Sequence, residues 1–130
     1  MELELSEDQE LFLETTRKLL ATEVSVPAVR GLEHDEAGFT ATYWRRGAEL
    51  GWTSMLVSEE DGGGSFSAHG LLDLVLVAEE MGKLTAPGPL LPVIVAPAGL
   101  AAGSAEQKAA VLPGLLSGES VAAWTGPEAV

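Results

Sequence analysis

The chain has 130 residues, 46% of them hydrophobic, with 7 Lys or Arg against 20 Asp or Glu and a formal charge of −13. That length builds one domain with a real core and is short for two, while the acidic balance argues against nucleic acid and anionic membrane surfaces as partners. The absence of cysteine removes disulfides, a thiolate nucleophile and Cys-based zinc sites from consideration.

The opening residues, MELELSEDQE, are acidic where an export signal needs a basic stretch followed by an apolar one, so a cytoplasmic chain is expected. Within LSEDQELFLETTRKLLATEV, Ser6 with Gln9 three residues on forms a capping-box pattern. Apolar or Thr pairs recur at 11/12, 15/16 and 19/20, which places a first helix over about residues 6–22. SVPAVRGLEHDEAGF carries Pro27, Gly31 and Gly38 and reads as a short helical turn followed by an irregular connection. Thr40 caps the next helix, ATYWRRGAELG, with Tyr43 or Trp44 and Ala48 inward and Gly51 as its stop.

WTSMLV is expected to be a short extended segment leading into SEEDGGG. A glycine loop grips phosphate when positive charge stands nearby; Glu59, Glu60 and Asp61 would repel it, and they lack the alternating ligands of a calcium loop. Ser67 is the expected cap of AHGLLDLVLVAEEMGKL, which is apolar on nearly every side until Glu79 and Glu80 and so reads as the central, buried helix. Adjacent helical carboxylates point about 100° apart. One of the two therefore belongs in a polar interaction and the other in water, not together on a substrate.

TAPGPLLPVIVAPAGLAAG reads as a helix entered through Pro87 and Pro89 and kinked near Pro92 or Pro97. GSAEQKAAVLPGLLSGE repeats the capping box with Ser104 and Gln107, giving a helix over roughly 104–117 that ends at Gly118. Its buried side is expected to hold Ala109, Val111, Leu112, Leu115 and Leu116, and SVAAWT then reads as extended. The apolar passages at 71–78 and 84–102 are too short or too interrupted to span a membrane. The sum is a mostly α domain, a bundle of about five to six helices with two short extended pieces.

His34 and His69 stand alone and read as surface residues, with no metal site. Ser6, Ser67 and Ser104 are better explained as caps than as nucleophiles. Trp44 and Trp52 read as core anchors, whereas Trp124 lies in an end segment with little chain left to pack against. Spacing alone reveals no self-contained active site.

Taken in order, the W-x-x-x-A-E-L-G-W of WRRGAELGW, the SEEDGG turn, the AEEMG helix, GSAEQK and LPGLLSGE resemble the N-terminal helical domain of the acyl-CoA dehydrogenase family over nearly the whole chain. The resemblance makes SEEDGGG a turn between helices, with Ser58 where the family commonly has Pro and with Gly63 and Gly64 extending the usual pair. It implies that residues 1–130 are a single helical domain, the family's middle β domain and C-terminal helical domain lying outside them. It further implies a flavoprotein oxidoreductase of fatty acid metabolism, a homo- or hetero-oligomer that uses FAD to dehydrogenate an acyl-CoA thioester between its α and β carbons. The catalytic carboxylate of that reaction belongs to the other domains, so no catalytic residue is assigned here.

Two contributions carry over from the resemblance. Leu90, Leu91, Ile94 and Val95 match the segment that lines the acyl pocket, with ordinary core packing as the competing reading for each. AAWTGPE matches the segment that approaches the flavin, which places Trp124 and Thr125 near its edge. Glu128 falls on the family's Glu and Pro127 on its Thr, and Pro offers neither an N–H nor a hydroxyl to the flavin. The chain by itself is expected to be inactive and to retain FAD weakly or not at all. The competing function is a non-enzymatic helical module that completes or binds a partner subunit.

Overall fold

A computed structural model describes residues 4–125. Six α-helices follow one another: α1 (Glu7–Glu23), α2 (Val26–Gly31), α3 (Ala41–Glu49), α4 (Gly70–Lys83), α5 (Leu90–Leu100) and α6 (Ala105–Leu116), and the described residues contain no strand. The expectation of a mostly α bundle of about five to six helices is met. Both capping boxes form: the Ser6 hydroxyl accepts the Gln9 N–H at 3.2 Å and Gln9 Oε1 accepts the Ser6 N–H at 3.1 Å, and Ser104 and Gln107 repeat the exchange at 3.2 and 2.8 Å. These two helices begin where they do because local side chains satisfy amide groups that the helix itself leaves unpaired.

α1 packs on α3 and α4, and α5 on α6. The main core takes Phe12, Leu20 and Val24 from α1, Tyr43 and Trp44 from α3, Leu74, Val77 and Met81 from α4, and Leu90, Val93 and Ile94 from α5, around Trp52 and Met55. Trp52 is fully buried and donates its indole N–H to Thr16 Oγ1 at 3.2 Å, with Tyr43 edge-on at a centroid separation of 5.8 Å. The ring lies directly on the backbone of Gly47, where an added Cβ would meet its Cε3 at 2.1 Å.

WTSMLV is not extended. Successive turns close it, with Trp52 N–H on the Gly47 carbonyl at 3.0 Å, Ser54 on Gly51 at 3.2 Å and Val57 on Ser54 at 3.0 Å. Trp52, Met55 and Val57 thereby all turn inward, which the alternating faces of a strand would forbid for 52 and 55 together. SVAAWT, expected to be extended, forms neither helix nor strand. In the acid and glycine loop, Glu59–Asp61 makes one 3₁₀ turn closed by Gly62 in the left-handed region, φ 86°. Gly63 is present because a Cβ there would stand 2.4 Å from the Val57 carbonyl oxygen. Lys108 on α6 donates to Asp61 at 2.9 Å, holding that carboxyl below its usual range, and the Thr53 hydroxyl donates to the Leu116 carbonyl at 2.8 Å. The loop is a fastened bend.

Three further expectations need correction. Ser67 does not cap α4, which starts at Gly70 with His69 at its N-cap position and no side-chain cap bond. Nor is α4 buried all round, since Leu71, Leu72 and Val75 are exposed. On α6 only Leu112 and Leu115 are buried, Leu116 is half-buried, and Ala109 and Val111 face out. One helix flank against α5 provides cover for a narrower stripe than the hydrophobic sequence offers.

Candidate functional site

The candidate surface is built on α4 and α5. At 100° per residue, Leu74, Val77 and Met81 point α4 into the core while Leu71, Val75, Ala78 and Gly82 fall within about 60° of one another on another side. This second stripe connects two concavities. At the N-terminal end of α4 an open groove of about 1350 Å³ is lined by Leu71, Leu72 and Val75 with Ser6, Gln9 and Ser67 opposite. At the C-terminal end a depression of about 440 Å³ is lined by Ala78, Met81 and Gly82 with Ala86, Leu90 and Leu91.

A buried carboxylate shapes the first of these. Asp73 is fully buried and accepts four hydrogen bonds: from Gln9 Nε2 at 3.2 Å, the Ser67 hydroxyl at 2.7 Å, and the Phe66 and Ser67 amides at 3.0 and 3.2 Å. Those bonds fix the loop that enters α4, together with Phe66 stacked on Phe12 at 4.2 Å. The fixed loop includes Ala68 at φ 60°, a conformation that side chains rarely adopt and that the surrounding bonds must hold. Nothing in the local sequence distinguishes Asp73 from a solvated acid, because its donors come from α1 and from the preceding turn.

Glu79 and Glu80 divide as expected. Glu79 is exposed and pairs with Lys83 at 2.9 Å. Glu80 is buried, accepting from Arg17 at 2.8 Å and Lys83 at 3.0 Å. The Arg17 guanidinium, helped by Lys83, outweighs the cost of burial and holds the Glu80 carboxyl down to about 2. The pair ties α1 to α4 and commits both Glu79 and Glu80 to ion pairs. His34 and His69 are exposed, and the described residues hold no metal-binding cluster.

The residues expected at the acyl pocket separate. Leu90 and Ile94 point into the core, whereas Leu91 at 58% and Val95 at 42% exposure lie outward, one helical turn apart. Trp124, 63% exposed, rests against α5 at Gly99, one more turn along, with its ring carbons 3.1–4.0 Å from where a Cβ would stand. Three of the six residues, Leu91, Val95 and Trp124, therefore share a surface. Thr125 is exposed beside Trp124 in sequence, and Pro127 and Glu128 lie outside the described residues.

This set suits one edge of a flavin and not a whole FAD. A free indole face and a hydroxyl are on offer, but a pyrophosphate needs cations. Five of the seven Lys and Arg residues, Arg17, Lys18, Arg46, Lys83 and Lys108, already stand in ion pairs.

The family described as acyl-CoA dehydrogenase, N-terminal domain, matches residues 6–119. A curated relative, acyl-CoA dehydrogenase IpdE2 of Mycolicibacterium smegmatis, is 36% identical over 88 residues, which is 67% of this chain and 27% of the relative. IpdE2 of Mycobacterium tuberculosis is 30% identical over 118 residues, 90% of this chain and 36% of the relative. Among solved structures, a variant of the Tcur3481-Tcur3483 steroid ACAD superposes with a TM-score of 0.75 at 30% identity, over 88% of this chain and 31% of that one. This chain thus spans 27–36% of the length of the curated relatives it matches. No helix among the described residues is long and apolar enough to cross a membrane.

Proposed function

Because the chain belongs to the acyl-CoA dehydrogenase family through its N-terminal domain, we propose that it is the helical first domain of an FAD-dependent enzyme that dehydrogenates an acyl-CoA thioester between its α and β carbons. In that enzyme a middle β domain and a C-terminal helical domain supply the catalytic carboxylate and most of the flavin site. This domain supplies apolar walls. The flavin, when bound, accepts the β hydride; Trp124 and Thr125 meet one edge of it, and the α4 and α5 stripes face the acyl group and the neighbouring domains.

The observation that carries the reading is the double-faced pattern of α4 and α5, with one apolar side filling this domain's core and another left outward. A domain that ended its business with its own core would have no use for Leu71, Val75, Leu91 and Val95 on the outside. Steroid-derived thioesters are the acyl class to test first, since the solved relative is a steroid ACAD and the depression beside Leu90 and Leu91, about 440 Å³, is broad rather than a narrow channel.

The test is the double substitution Leu91→Ser, Val95→Ser in the full-length enzyme, assayed by acyl-CoA-dependent dye reduction. Both side chains are exposed here, so the helix should survive. Losing two buried aliphatic groups from a bound complex, at about 1.5–3 kcal/mol each when fully buried, should raise KM at least tenfold with kcat within about threefold of the parent. An unchanged KM for every acyl thioester tried would remove these residues from the substrate site.

A further inference from the structure

Gly99 is an odd residue for its place. It lies within α5, its φ is not positive, and its backbone is ordinary helix, so glycine's conformational freedom serves no purpose there. Glycine is also the poorest helix former after proline. What its bare Cα provides is a flat place on an exposed helical surface, and the Trp124 indole occupies it. An alanine Cβ would stand 3.1 Å from Cζ3, 3.7 Å from Cε3 and 4.0 Å from Cη2 of that ring. Any longer side chain would take the ring's place.

We infer that Gly99 is a positioning residue: its missing side chain is the seat that lays the Trp124 indole on α5, in line with Leu91 and Val95. Positions 91, 95 and 99 advance about 40° per step and together run roughly 12 Å along the helix. They form a shallow apolar spiral whose last member is an aromatic plane rather than an aliphatic side chain. The chain arriving from α6 is thereby laid on α5 at Gly99, and the indole is held at a fixed height there. That this ring meets a ligand rests on the functional reading above; the seat itself does not.

Trp44 and Trp52 are almost wholly buried, so acrylamide-accessible tryptophan emission of the 130-residue chain reports Trp124. Gly99→Leu puts a good helix former at an exposed position and should not reduce the helical far-UV circular dichroism. It is expected to shift the accessible emission to the red and raise its quenching constant. Gly99→Ala gives the second measurement as a thermal cycle, in which alanine should raise the melting temperature more in a Trp124→Ala background than in the parent, because only the parent has a ring to displace. Unaltered emission and quenching in Gly99→Leu, or equal alanine gains in the two backgrounds, would overturn the seat. Neither readout needs flavin or thioester, so the functional reading can fail in its KM test while the seat stands, and the reverse.

Discussion

Gly47→Ala is a substitution that helix propensity favours and packing forbids. The new methyl carbon would stand 2.1, 2.5 and 2.8 Å from Cε3, Cζ3 and Cδ2 of Trp52, where carbon contacts settle at about 3.5–4.0 Å. The ring has no room to yield: it is fully buried, bonded through Nε1 to Thr16 Oγ1 at 3.2 Å and met by Tyr43 edge-on and by Trp44 at 6.4 Å. Either α3 lifts or the indole turns and loses Thr16. Overpacking of this severity belongs at the upper end of the usual range, about 3 kcal/mol, and separating the buried N–H from its acceptor adds about 1 kcal/mol. Replacing a helical glycine returns at most about 1 kcal/mol. The net loss of about 3 kcal/mol corresponds to a melting temperature lower by about 10 °C for a chain this size, readable in thermal and urea melts followed by circular dichroism. Gly82→Ala isolates the propensity term, since no heavy atom lies within 4 Å of its added Cβ, and should stabilise slightly. A Gly47→Ala chain that melts at or above the parent temperature, with unchanged buried-tryptophan emission, would refute the assigned packing of Trp52.

The Glu80 pair predicts a pH signature. A carboxyl held at about 2 when folded and near 4.5 when free stabilises the fold above pH 4.5 and loses that contribution as the pH falls from about 4.5 to 2. Glu80→Gln should therefore cost about 1–2 kcal/mol at neutral pH, allowing for solvent screening of the half-exposed Arg17, and should flatten urea-melt stability across that acid window. Asp73→Ala removes the acceptor of four hydrogen bonds, only Gln9 Nε2 keeping another in Ser67 Oγ, and should cost about 3 kcal/mol, with faster hydrogen exchange at the Phe66 and Ser67 amides as its local mark. Unchanged exchange there would mean that the loop entering α4 is held by Phe66 stacking alone.

What the sequence made legible was whatever its neighbours in sequence decide. The Ser6 and Ser104 caps lie three residues from their partners, so the starts of α1 and α6 could be placed to within one residue. WTSMLV misleads because Val and aromatic residues suit a strand in isolation, whereas Trp52 goes where Gly47 and Thr16 receive it. Asp73 is unreadable for the same reason: Gln9, one of its donors, is 64 residues away. A run such as LLDLVLV announces a helix with more than one apolar side, but composition cannot say that the second side lacks a partner within the domain. At the candidate surface, Leu90 and Leu91 are neighbours in sequence and part company by about 100° around the helix. A contiguous stretch therefore contributes to core and surface in alternation.

The ties from α6 back to the acid and glycine loop also set how the domain transmits a push. Thr53 on the Leu116 carbonyl and Lys108 on Asp61 join the last helix to chain 63 and 47 residues earlier. A displacement imposed on α6 therefore reaches the connection between α3 and α4 through these two bonds as well as α5, on which α6 packs. The helix bearing Leu91, Val95 and the Gly99 seat shares that push, and Leu90, Val93 and Ile94 carry it on into the core.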